Sequence, residues 1–95
     1  MFDICSAIES RQVISFSYDG FPRVVEPHTY GVDRKGHTAL RGYQIAGRSE
    51  SGDLGWKLFH ADKMRGPEGH PDKFEGPRPG YKRGDKAFST IRCQL

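Results

Sequence analysis

The sequence predicts a mainly β fold with one short helix at its N-terminus. Three observations carry that expectation. Apolar and polar residues alternate in short runs, as where Ile14, Phe16 and Tyr18 oppose Ser15, Ser17 and Asp19. Twelve glycines and six prolines among 95 residues punctuate those runs with turns. Helical spacing is found in Asp3–Arg11, where Ile4, Ala7, Ile8 and Arg11 share a face. A chain of this length is one domain with a modest core, since it buries only about 60–65% of its unfolded surface.

The elements follow in order. Asp3 is placed to cap the first helical turn, with Phe2 before it and Ala7 after it in staple-like positions. Arg11 suits the negative end of the helix dipole. So short a helix cannot stand alone, and its Ile face must dock on the sheet. Val13–Tyr18 is the first strand, and Asp19-Gly20 is a strong turn signal before Arg23–Glu26. Pro27 has no N–H to donate, so the strand must end, bend or lie on an edge there; His28–Val32 continues extended. Asp33–Gly36 is a polar turn. Thr38–Ile45 is the next strand, with Gly42 at its middle predicting a bend or a close backbone approach. Gly47–Gly55 reads as a solvated loop and Trp56–Ala61 as a fourth strand. Residues 1–65 make the compact unit. Residues 66–86, with Pro67, Pro71, Pro77 and Pro79, read as a long irregular arm anchored by Phe74 and Tyr81. Residues 87–95 return to strand alternation within the same domain.

Composition excludes some classes. No apolar run approaches the roughly 18 residues of a membrane span, so no membrane partner is expected. Met1-Phe2-Asp3 lacks the basic start of a secretory leader, which makes the cytoplasm the expected compartment. A formal charge of +3 is mildly basic and compatible with an anionic partner. Cys5 and Cys93 read as small buried apolar residues in a reducing compartment; a disulfide between them is the alternative, needing oxidising surroundings.

No enzyme and no cofactor are expected. His28, His37, His60 and His70 fall on different elements without an H-x-x-x-H pair or a carboxylate at ligand spacing, so no metal site is read. Ser6, Ser10, Ser15, Ser17, Ser49, Ser51, Ser89 and Thr90 sit in no nucleophile-elbow context, and paired carboxylates are absent. The best constellation is cationic: Arg23, Arg41, His60, Lys63 and Arg65, with Tyr43 and Trp56 as a stacking surface for bases. The competing reading is a set of separate solvated charges, with Arg23 paired to Glu26 or Asp62. Glu26-Pro27-His28 reads as a structural corner, its carboxylate accepting backbone N–H groups.

Phe16-Ser17-Tyr18, Arg23-Val24-Val25-Glu26-Pro27 and Phe59-His60-Ala61-Asp62-Lys63, in that order over roughly Ile4–Met64, resemble the WYL domain family. The name-giving triplet aligns with Thr38-Ala39-Leu40, where only the leucine is kept, and His60 and Lys63 stand where the family has arginines. The resemblance implies a small Sm-like five-stranded β-barrel preceded by a short helix. It also implies a ligand-binding module of bacterial transcription regulation or defence, sensing single-stranded nucleic acid or a nucleotide. The ligand-binding residues on that reading are Arg23, Arg41, Tyr43, Trp56, His60 and Lys63. With no helix-turn-helix ahead of it, the module is expected to stand alone and to signal through a regulatory protein or a homo-oligomer. The alternative is a protein–protein assembly module that uses the C-terminal arm and strand.

Overall fold

Asp3 starts helix α1 (Ile4–Ser10) as anticipated, its carboxylate accepting from the Cys5 amide at 3.2 Å and the Ser6 hydroxyl at 2.8 Å. Arg11 stops it by turning left-handed, at φ 56°, and donating its N–H to the carbonyls of Ala7 and Ile8. In this computed structural model, residues 2–49 and 52–95 are described; Met1 and positions 50 and 51 of the expected Gly47–Gly55 loop, Ser51 among them, lie outside the described residues. The strands are β1 (Gln12–Tyr18), β2 (Phe21–Asp33), β3 (Thr38–Gly47), β4 (Gly55–His60), β5 (Arg65–Lys73) and β6 (Phe88–Gln94), with a 3₁₀ turn over Ala61–Lys63. None of the described helices is long and apolar enough to cross a membrane.

The β1–β2 hairpin closes as its sequence predicts. Asp19 and Gly20 both take positive φ, 52° and 79°, the geometry that matches strand twist in a two-residue turn. β2 then runs for 13 residues and organises the sheet. β3 pairs along one edge, from Arg23↔Gly47 to Val32↔Thr38. The other edge is shared: β1 takes Phe21–Val25 and β6 takes Thr29–Asp33. Pro27 falls in the gap between those partners, where its missing donor is tolerated, and the register with β3 shifts just after it. Gly42 lies opposite, and a Cβ there would run into the Val25 side chain and sit 3.3 Å from the Glu26 carbonyl oxygen. The bend and the close approach expected of these two residues are one feature.

The sheet is open, which corrects the expectation of an Sm-like five-stranded barrel. Its six strands follow the order β4-β3-β2-β1-β5, with β6 beside β2. Among the described residues no ladder joins β4 to β5, although they are consecutive in the chain. The physical reason lies in β5, which carries Pro67 and Pro71 and meets β1 with two register shifts. An edge strand accepts such prolines; a strand closing a barrel needs donors on both sides. The expected irregular arm is corrected in the same place, because its first part is this strand. Gln12 helps hold it, donating from Nε2 to the carbonyls of His70 and Asp72.

The core forms where α1 covers the sheet. Ile8, Ile14, Phe16, Val25, Leu40, Phe59 and Met64 are buried together. Phe59 meets Phe16 and Tyr18 edge-on, each at 5.0 Å between ring centres. Cys5 and Cys93 are joined as a disulfide with Cα atoms 5.7 Å apart, which corrects their reading as separate buried thiols. The signal was absent from the sequence because 88 residues separate them and spacing alone does not choose between bridge and thiol.

That bridge ties α1 to β6 and closes almost the whole chain into a loop. In the chain-entropy account a loop of this size stabilises by about 4–5 kcal/mol. Reduction, or Cys5→Ser with Cys93→Ser, is therefore expected to lower the urea midpoint markedly; an unchanged midpoint would show that the bridge is energetically idle.

Candidate functional site

The residues after β5 form a strap that returns across β2, β3 and β4. Pro77 and Pro79 flank Arg78 and favour an extended backbone there, which leaves the Arg78 N–H without a local partner. It finds one across the sheet, donating to His28 Nε2 at 3.2 Å. His28 Nδ1–H in turn donates to the Glu26 carbonyl at 2.8 Å, so both ring nitrogens are used and the neutral tautomer is defined. The Arg78 guanidinium closes the contact with two bonds to the Glu26 carboxylate, at 2.7 and 3.0 Å. Its charge also lies 4.8 Å from the Tyr43 ring centre. Glu26 thus serves a side chain 52 residues away and not the backbone amides expected at a Pro27 corner.

His28 is fully buried among rings, 4.7 Å from Trp56, 5.7 Å from Phe74 and 5.3 Å from Tyr81 between centres. Burial pushes its pKa below the ordinary imidazole value, outweighing the Glu26 carbonyl and carboxylate, which favour the proton. Trp56 Nε1 donates to the Pro79 carbonyl at 2.9 Å, and the Tyr81 hydroxyl donates to the Leu95 carbonyl at 2.9 Å. Trp56 and Tyr81 face each other with centres 6.3 Å apart and planes 22° from parallel.

Between β3, β4 and the strap lies a half-open cleft of about 170 Å³, lined by Arg41, Trp56, Gly80, Tyr81, Lys82 and Asp85. Arg41 reaches in from β3 and donates its Nε to Asp85 at 2.8 Å. Its two terminal guanidinium nitrogens have no hydrogen-bond partner among the described residues. Burial alone would raise the Asp85 pKa; the Arg41 bond and the Ala87 amide outweigh it and hold the carboxyl below its ordinary value.

The structure divides the residues singled out from the sequence. Arg41 and Trp56 line the cleft, and Tyr43 stands beside Trp56, edge-on at 5.3 Å. Arg23 is elsewhere and buried, donating to Gln44 at 3.2 Å and to the Tyr18 carbonyl at 3.1 Å, with its guanidinium 5.4 Å from the Tyr18 ring centre. It pairs with neither Glu26 nor Asp62. His60 ends β4 beside Asp33 and His37, with its Nε2 3.7 Å from an Asp33 carboxylate oxygen. Lys63 lies exposed on the 3₁₀ turn, and Arg65 donates to the Asp62 carbonyl at 2.7 Å. Arg78, Lys82 and Asp85 were missed by the sequence reading, and their one signal was the proline pair around Arg78. The chain matches no family model, no curated protein and no solved structure.

Two expectations follow from the strap. A folded-state His28 pKa below the model-compound 6.5 means that the unfolded chain binds the proton more readily. The contribution is complete above that value and is lost as pH falls from there through the depressed folded value. Thermal midpoints should therefore drop below neutrality, and His28→Gln should flatten that part of the profile; an equally steep profile in the variant would remove His28 as the cause. Arg78→Ala leaves Glu26 buried without its partner, at a cost of about 1–2 kcal/mol after discounting for the partly solvated guanidinium. Tryptic cleavage after Lys82 and Arg83 should accelerate in this variant; an unchanged cleavage rate would mean that other contacts hold the strap.

Proposed function

We propose that this chain is a ligand-binding module, WYL-like in its motifs, that takes single-stranded nucleic acid or a nucleotide in the strap cleft and serves a bacterial transcription-regulation or defence system. One observation carries the reading: a facing Trp56–Tyr81 pair shares its cleft with the unpaired end of Arg41 and with Lys82. Bases stack on such rings for about 1–3 kcal/mol each, whatever their identity. A guanidinium held at one end by a carboxylate and open at the other is pre-oriented for a phosphate. The volume, about 170 Å³, suits a single base, with sugar and phosphate outside in the open mouth. Drug-sized ligands occupy pockets of roughly 300–1,000 Å³.

The assembly alternative draws less support. β6 is already paired to β2, and the strap is bonded to Glu26, His28 and Leu95. Offering the strap to a neighbour means giving up those bonds first, while the far edge of β6 carries no ladder among the described residues. A cytoplasmic setting fits a regulator, whereas the Cys5–Cys93 bridge favours oxidising surroundings.

The test is fluorescence anisotropy with labelled oligo-dT and oligo-U against wild type, Arg41→Ala and Lys82→Ala. For two phosphate contacts, raising salt from about 50 to about 200 mM should weaken binding roughly sevenfold. Both variants should bind more weakly at low salt. Absence of binding at low salt, or equal binding by Arg41→Ala, would overturn the reading.

A further inference from the structure

A second cluster lies at the opposite end of β2 from the hairpin with β1. Asp33 is the last residue of β2, His37 sits in the turn that follows, and His60 closes β4, where it pairs with Ala39. Asp33 is nearly buried, at 7% exposure, and its two carboxylate oxygens have different surroundings. Oδ1 accepts from the backbone amides of Lys35 at 2.9 Å and His37 at 2.8 Å, which fixes the carboxylate's orientation. Oδ2 faces the imidazoles, 3.4 Å from His37 Nδ1 and 3.7 Å from His60 Nε2. The two rings lie 4.6 Å apart, 29° from parallel, and the three donor atoms are all within 4.8 Å of one another.

Those two distances exceed the 2.7–3.2 Å or so of a well-formed N–H···O bond. They lie close to another spacing. Metal bonds of about 2.0–2.2 Å in a tetrahedron separate adjacent ligand atoms by roughly 3.3–3.6 Å. The backbone around the cluster is also set: the Asp33 amide donates to the His37 carbonyl at 2.8 Å, and the His60 amide to the Tyr18 hydroxyl at 3.0 Å. Ligands held this way need little rearrangement to accept an ion.

We propose that Asp33, His37 and His60 form a site for a zinc-class divalent ion, with three protein ligands and the fourth position open to water. Two imidazoles and one carboxylate suit zinc, cobalt or nickel; magnesium and calcium favour all-oxygen shells. The half-exposed His37 side chain, 49% accessible, leaves the site reachable from solvent. The residues are distinct from those lining the Trp56–Tyr81 cleft, so this site does not depend on the function proposed above.

Isothermal titration of the tag-free, disulfide-intact chain with zinc chloride tests it. The expected result is one ion per chain, with His37→Ala and His60→Ala each weakening binding at least about tenfold. His70→Ala, on β5, should bind as wild type does, and excess magnesium should not compete. Cobalt should enter the same site and give the visible absorption of a tetrahedral ion, lost in His37→Ala. That variant alters an exposed turn side chain, and its thermal midpoint without metal should match wild type. No zinc binding, or binding that survives the His37→Ala/His60→Ala pair, would overturn the assignment and leave two histidine–aspartate contacts.

Discussion

β2 gives one of its edges to two partners in turn, and the handover at Glu26-Pro27-His28 is the constraint on which the rest depends. β1 holds the strand up to Val25 and β6 takes it from Thr29. A proline there costs no ladder bond, and Gly42 opposite lets the backbones approach at the point of change. The same three residues receive the strap, Glu26 through the Arg78 guanidinium and His28 through the Arg78 amide. The handover of the sheet edge and the Arg78 anchor of the strap therefore share one place, and bonds from Trp56, Tyr81 and Arg41 hold the strap further along. Loss of that corner would release the Arg78 anchor, the strap's bidentate ion pair to the sheet.

Small domains need such fastening. The apolar core is limited in size, and a chain of this length gains only a modest margin from burial. Here the disulfide joins the first helix to the last strand while the strap is held by polar bonds to buried partners. The cleft exists because the strap is docked: Gly80, Tyr81, Lys82 and Asp85 belong to it, and Arg41 and Trp56 belong to the sheet. A single docking equilibrium thus sets both the shape of the cleft and the orientation of its cation.

Much of the local architecture was legible in the sequence because local physics specified it. Asp3 capped the helix, Asp19-Gly20 turned the hairpin, and Pro27 and Gly42 marked the bend. The failures were all long-range. Whether the sheet closes depends on where β5 and β6 pair, which alternation cannot say. Arg41 meets Asp85 across 44 residues and Arg78 meets Glu26 across 52, so neither pair leaves a periodic trace. Arg23 looked like a surface cation yet is buried against aromatic rings and Gln44. His60 was grouped with Arg23, Arg41 and Lys63, because its actual neighbours Asp33 and His37 reach it through strand pairing alone.

Native-state amide hydrogen exchange reads the docking of the strap through the Arg78 amide. That residue lies outside every strand and helix, so an undocked strap would let its amide exchange as fast as an exposed loop. Bonded to the buried His28 ring, it should instead exchange slowly, approaching the β2 amides of Val25 and Thr29. Loop-like exchange at Arg78 beside well-protected β2 amides would contradict docking, because the sheet would then stand without a strap held at the Glu26–His28 corner.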